Sequence, residues 1–477
     1  MLPARPAPGG VLAAALFAAG CHFVGGWDEF RVGSGDGGEP DDGGPGSAGG
    51  ALIWARRLGG SGMQVPRGLC VDSGGNAVVA GYFYESLDLG ELSLTSAGND
   101  DPFVVKLGAD GGYRWSRSYG DGAEQHATAV AVDGSDNVVL AGSFDGSVDF
   151  GGGALPNEGS PDIFLVKLDP NGEHLWSQRF GGADSHQYAF DVAVDPLGNI
   201  VLVGELQGSV DFGGGALASE GTYDVFVARF TAAGKHQWSR RYGDLGHQTG
   251  RAVAFDGSHN VVVAGYFTGS IDLGDGPLVA QGALGGFAAK LDPNGDALWS
   301  AAFAGGSVYP KAVAVDGTGG VVVDGYFFDR AELGGEPLAA AGEKDKQAFV
   351  AKLDSAGQHL WSRGFGDGTE QHAAGVAVDS TGAVLLAGGF DGTVSFGGPA
   401  LANAGARDIF AAKLGPEAEH VWSRRFGDLY EQAATGVATD GDANVFVAGY
   451  FGGAIDFGAE KLTSAGGFDV FLVKLRP

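Results

Sequence analysis

The sequence predicts an all-β fold, a seven-bladed β-propeller with four antiparallel strands per blade, and three observations predict it. Trp recurs at 54, 115, 176, 238, 299, 361 and 422, so the chain repeats itself every 61 or 62 residues. Each repeat holds four short apolar segments separated by Gly, Asn, Asp and Pro, and no stretch shows sustained helical periodicity. Residues 51–477 hold seven such units, and radial repetition of four-stranded sheets is one way for an antiparallel array to protect its edges.

In chain order, residues 1–21, "MLPARPAPGGVLAAALFAAGC", read as a secretion signal: one Arg, an apolar run, then small residues. Ala18-Ala19-Gly20-Cys21 resembles a bacterial lipobox, which makes Cys21 the expected lipidation site. The apolar run is too short to span a bilayer. Residues 22–50 are Gly-rich and acidic; they cannot bury enough apolar surface to fold and read as a flexible tether. The propeller is expected over 51–477.

Within one repeat the first strand is "AVAVD" (129–133), the second "NVVLAGSF" (137–144), the third "DIFLVKL" (162–168) and the fourth "HLWSQRF" (174–180). "VDPLGN" (194–199) and "DPNG" (169–172) place Gly or a polar residue where φ turns positive, as a type I turn with a G1 bulge requires. A longer loop joins strands two and three. The first strand is expected innermost. One of its faces carries Leu69, Val130, Val192, Val253, Val313, Val376 and Val437. The other carries Cys70, Ala131, Ala193, Ala254, Ala314, Ala377 and Ala438. Sheets converge near the axis, so a small face must meet a branched one there. The last repeat stops after its third strand, and residues 51–60, "ALIWARRLGG", are a lone fourth strand. Pairing of the two would close the ring.

The repeat resembles the SBBP family of bacterial β-propeller repeats. The features that carry the likeness are "[VA]AVDxxGN", "VVVAG", "D-[IV]-F-[VL]-x-KL-D-P-N-G" and a fourth strand ending in Phe-Gly or Gly-Gly, over about residues 51–477. The fourth strand here carries Trp-Ser-Arg where that family more often has Tyr-Ser-Thr. The resemblance implies an exported propeller and brings no catalytic motif with it.

A net charge of −29 repels phosphate backbones and anionic lipid heads, which argues against nucleic acid as a partner and leaves cations, proteins and neutral glycans. Of the two Cys, Cys70 stands where other copies have Ala and reads as a small buried thiol.

Residues present in every copy of a repeat are mostly scaffold, so departures are the better functional candidates. The basic residues Lys106, Lys167, Arg229, Lys290, Lys352, Lys413 and Lys474 of the third strands are expected to pair across strands with acids at the outer edge. The loop acids Asp88, Asp149, Asp211, Asp272, Glu332 and Asp456 either hydrogen-bond their own turns or bind Ca²⁺, the one cofactor the pattern leaves open. Gln64, Gln125, Gln187, Gln248, Gln371 and Gln432 precede the innermost strand in six repeats, with Val308 in the fifth. They either tie neighbouring loops together or form a polar ring at a channel mouth suited to a glycan. Asp191, Glu205, Asp324, Arg67, Arg251 and Lys311 break the repeat, all but Arg67 in units three to five. They read as salt bridges near the channel or as a binding or active cleft.

The expected function is that of a surface-tethered, monomeric binding propeller, exported to the cell envelope, that recognises a protein or polysaccharide through its loop face. The alternatives are a hydrolase or lyase at the channel mouth over units three to five, and a structural envelope component.

Overall fold

A computed structural model describes residues 22–23 and 49–477, apart from 91, 160, 184, 341, 343 and 344. The signal, the lipidation of Cys21 and nearly all of the tether lie outside the described residues. The described chain is all β, with no helix. The second repeat shows the plan: strands Gln125–Val132, Val138–Phe144, Asp162–Leu168 and His174–Phe180 form one sheet in that order. Alternate side chains leave a strand on opposite faces, and all seven residues of Val138–Phe144 and of Asp162–Leu168 are buried. Both middle strands are therefore covered on both faces, as sheets stacked on either side require.

The stacking uses the two faces of the innermost strand. Cys70 packs in one cluster with Val130 of the following sheet, Ala131 with Val192, Ala193 with Val253, Ala254 with Val313, Ala314 with Val376 and Ala377 with Val437. A further cluster joins Ala438 to Leu69, so the last sheet packs on the first. Each innermost strand touches the next, and Gln432–Thr439 touches Gln64–Val71. The strand Leu52–Leu58 lies antiparallel to Asp469–Leu475, with Trp54 opposite Lys474. His22–Phe23 adds to the first sheet, opposite Gly68 and Leu69.

Two devices tie sheet to sheet. The Trp115 indole donates to the Pro170 carbonyl in the next unit's turn at 2.9 Å, and Trp54, Trp176, Trp238, Trp299 and Trp361 do the same to Ala109, Ala232, Pro293, Ser355 and Pro416. The turn glycine lies against the ring: Gly172 has φ +78°, and a Cβ there would sit 2.7 Å from Trp115. Gly is required both for the left-handed backbone and for the close approach.

The third-strand cations are buried ion pairs, but their partners are not at the outer edge. Each reaches back past the second strand to the Asp that ends the innermost strand: Lys106 to Asp72 and Lys167 to Asp133 at 2.7 Å, Lys474 to Asp440 at 2.9 Å. Burial alone would raise the Asp133 carboxyl, but the Lys167 ammonium and the Asn137 and backbone donors of the turn outweigh it and hold the carboxyl below the usual range.

The fourth and fifth sheets depart from the plan. Ala297–Val315 is one 19-residue strand. Its first part pairs with the fourth sheet's third strand, and residues from Ala304 onward pair with Val321–Glu332 as the fifth sheet's innermost strand. The long loops between second and third strands also carry order of their own. In the second unit Ser147–Asp149 pairs with Ala154–Pro156 as a two-stranded ribbon. Asp149 accepts from the Gly151 and Gly153 amides at 2.8 and 3.0 Å, and Asp211 and Asp272 cap their turns the same way.

Candidate ligand-binding face

The innermost strands begin, and the long loops lie, at one end of the sheets. The six Gln of this end are fully buried. Gln125 accepts from the Asp121 amide at 3.2 Å and donates to the Asp121 carboxylate and the Asp145 carbonyl at 2.8 and 3.0 Å. Gln248 and Gln432 make the same three bonds, Gln64 and Gln371 two equivalent ones, and Gln187 donates to the Gln207 carbonyl. Their amides are spent on turning the chain from an outer strand into the next innermost strand. Buried Val308 stands at that corner in the fifth unit, where one continuous strand, bulged at Gly305/Ser307, carries the chain from sheet to sheet.

The repeat-breaking charges fall into three groups. Asp191 is buried and accepts from the Val192 and Val253 amides at 2.8 Å, linking sheets three and four; burial drives its carboxyl well above the usual range, against the pull of Arg251. Arg251 lies over the Phe190 ring. Asp324 is buried and accepts from the Ala312 amide at 3.0 Å, beside Lys311; burial pushes it up to about 8. In both cases the acceptor serves an innermost-strand amide next to a bulge, at Gly250/Ala252 and at Pro310/Ala312.

Glu205 differs, because it reaches the surface. It stands opposite Tyr188 in its sheet. Its Oε2 accepts from the Thr249 hydroxyl of the next sheet at 2.7 Å and lies 3.3 Å from His247 Nε2. A nucleophilic relay needs hydroxyl and carboxylate on opposite imidazole nitrogens. Here both meet Nε2, with Thr249 Oγ1 at 3.0 Å, so the trio is built to hold a carboxylate in place rather than to pass a proton along.

Around Glu205 begins an unbroken run of rings. Phe190 stacks with Tyr188 at 6.4 Å; Tyr188 meets Tyr223 at 6.5 Å, Tyr223 meets His247 at 5.1 Å, and His247 meets Tyr266 at 6.5 Å. Tyr266 then meets Tyr309 at 5.2 Å, and Tyr309 meets Tyr326 and Phe328 at 4.8 and 6.1 Å. The run crosses sheets three, four and five. All its members but the buried Tyr326 are half-buried, so ring edges and faces reach solvent. Burial raises the Tyr188 and Tyr223 phenols, and the Glu205 charge adds to it. At the far end Lys311 and Lys346 sit over Tyr326 at 5.2 and 4.7 Å. Beyond them, burial and then Arg407, Lys346 and Lys311 hold the His372 imidazole well below its usual value. Arg407 pairs with Glu370 at 2.8 Å.

Sequence reasoning put Glu205, Lys311, Asp191, Arg251 and Asp324 on successive units three to five as salt bridges or one cleft; the structure brings Asp191 near Arg251 and Asp324 near Lys311, and holds Glu205 apart from both with Thr249 and His247. Sequence reasoning missed the tyrosines. The available signal was their departure from register: Tyr188 and Tyr309 follow the Gln position where other copies carry Val, His, Thr or Ala.

No family model matches the chain. It is 23% identical, over 84% of its length, to an uncharacterised WD repeat-containing protein of Acanthamoeba polyphaga mimivirus, and covers 31% of that protein. It is 29% identical over 43% of its length to the regulatory protein FlaEY of Caulobacter vibrioides, covering 21% of it. The chain thus spans about a third and a fifth of the length of these two relatives. Among solved structures it is similar to Sqt1 from Chaetomium thermophilum (TM-score 0.37, 9% identity, 84% of this chain and 93% of that one). It is also similar to YCF48 bound to D1 peptide (TM-score 0.34, 10% identity, 91% and 99%). With its all-β repeats, the chain is a β-propeller repeat protein.

Proposed function

We propose that the chain is a binding scaffold whose seven sheets are the blades of one closed wheel, latched by the pairing of Leu52–Leu58 with Asp469–Leu475. It recognises a macromolecular partner, a protein or a polysaccharide, through the face that carries the long loops. In this reading the chain is exported and held at the cell envelope by a lipid on Cys21. The observation that carries the binding role is the run of rings from Phe190 to Phe328. A solvent-reaching belt of tyrosines, with fixed charges at both ends, offers large contact area at low entropic cost, and the packing of the sheets has no need of it.

The test is to screen the chain against arrayed glycans and peptides, then to repeat each hit with Tyr266→Ala and with Leu298→Ser, a change on an exposed outer strand. Hits lost with Tyr266→Ala and kept with Leu298→Ser support the reading. Hits indifferent to Tyr266→Ala would move recognition off this face.

A further inference from the structure

One carboxylate in the belt is held in place yet left without a cation, and from this we infer that Glu205 docks the ammonium of a lysine side chain from a protein partner. This rests on the binding role proposed above and names the group that the face recognises.

Glu205 stands at a repeat position that the other units fill with Tyr82, Ser143, Tyr266, Tyr326, Gly389 or Tyr450, so the stacking of sheets does not call for an acid there. The hydrogen bonds from Thr249 and His247 both fall on its Oε2. Among the described residues Oε1 takes no hydrogen bond and still reaches solvent. The side chain is only 11% exposed, so its two partners and the surrounding protein fix it before any ligand arrives. Other buried acids of the fold are met from within: Asp133 by Lys167, Asp162 by Arg179, Asp224 by Arg241 and Asp408 by Arg425. Among the described residues no Lys or Arg pairs with Glu205, and its ion-pair partner is His247.

The one open oxygen decides which cation fits. An ammonium is a point donor and needs a single acceptor, whereas the planar fork of a guanidinium is best matched by two, and Oε2 is already taken. A trimethylated ammonium has no N–H and would leave Oε1 unpaired. Tyr188 lies opposite Glu205 in its sheet, and Tyr223 and His247 follow in the belt. Ring faces add a second attraction for a cation that has left water. Asp145 brings another negative charge close enough to act on Tyr188. The sign stays the same towards the other end of the belt. Lys346 is buried there, and Arg407 stands with Glu370 at 2.8 Å and Asp391 at 4.0 Å, with Glu431 close enough to feel both Arg407 and Asp391. A polyanion is repelled along this face, and a neutral glycan leaves the carboxylate's charge unmatched. A protein segment that presents a lysine matches it, and the overall charge of −29 draws such a segment in.

The experiment is binding of the full chain to arrayed peptides that differ only at one central position, which holds Lys, Arg, trimethyl-lysine, acetyl-lysine or Glu, beside neutral glycans. The expected result is Lys ahead of Arg and trimethyl-lysine, and about ten-fold ahead of acetyl-lysine. Glu205→Gln, which keeps an acceptor for Thr249, should bind the Lys and acetyl-lysine peptides alike. Thermal melts check that the variant folds, and the acetyl-lysine comparison on the parent needs no variant. Equal binding of Lys and acetyl-lysine by the parent, or a Lys preference that survives Glu205→Gln, would overturn the docking at Glu205. If Tyr266→Ala still abolished that binding, the face would stand. Binding indifferent to Tyr266→Ala would overturn the face itself. Preference for Arg or trimethyl-lysine, selection of neutral glycans alone, or no peptide bound at all would also overturn the inference.

Discussion

Asp324→Asn should stabilise the protein, and only above acidic pH. The carboxyl is buried on the fifth sheet's second strand, where the other sheets carry Ala or Val. It accepts from the Ala312 amide, and burial outweighs that bond and the attraction of Lys311, so it titrates near 8 in the fold against 3.8 for the free group. The fold therefore holds a proton that the unfolded chain gives up. The contribution is fully present below about pH 4 and is lost as pH rises to about 8. At about 1.4 kcal/mol per pH unit, the loss across that window is on the order of 5 kcal/mol. Asn keeps the acceptor for Ala312 and cannot ionise. With an unfolding entropy of about 2.1 cal/mol/K per residue, it should melt about 5 °C above the parent at pH 8.5 and level with it at pH 4. Other buried carboxyls, Asp101 and Asp408 among them, slope the same way in both proteins, so the difference between parent and variant isolates Asp324. The assay is calorimetric melting from pH 4 to 9. A difference that does not change with pH, or a variant less stable at pH 8.5, would refute the reasoning.

Three further outcomes follow from the same geometry. Asp101 and Asp408 are both pushed to about 6 by burial, but only Asp408 has an Arg partner, Arg425 at 2.6 Å. Above pH 6, Asp101→Asn should therefore raise the melting temperature and Asp408→Asn should lower it by stranding Arg425. Gly172→Ala meets a left-handed backbone and the Trp115 ring together, whereas at Gly153 (φ +107°) a Cβ meets nothing. Gly172→Ala should cost about 2 kcal/mol or more and Gly153→Ala about 1, read from denaturant midpoints. Deleting residues 51–60 removes the strand beside Asp469–Leu475 and bares its edge. The last sheet should become the first site of protease cleavage, well beyond the loss of Trp54 alone at about 3–5 kcal/mol.

Much of the scaffold was legible because it is local and said seven times. "DPNG" announces its own turn, and the Val–Ala alternation of the first strands announces a face that packs on a neighbour. The partners of the third-strand cations were misplaced for the same reason: strand alternation gives the side of a sheet a Lys faces, not how far its chain reaches across the next strand. The fusion of sheets four and five hung on Val308. Its oddity was plain, but only the corner bonds of the other Gln reveal what a Val at that place removes. The belt was hidden most deeply, because Tyr188, Tyr223 and Tyr266 hold different repeat positions, and the contacts that join them run through His247 of the next sheet.

The uninterrupted strand Ala297–Val315 gives the stacked sheets a preferred line of stiffness. Elsewhere one sheet passes to the next through a bend that an amide clasp holds and that can flex when the clasp lets go. Here covalent chain and ladder hydrogen bonds run through the junction together, so two neighbouring sectors tilt as a single plate. Tyr309 and Lys311 ride on that plate. Any breathing of the assembly must be absorbed at the remaining seams, leaving this part of the belt the steadiest platform on the face.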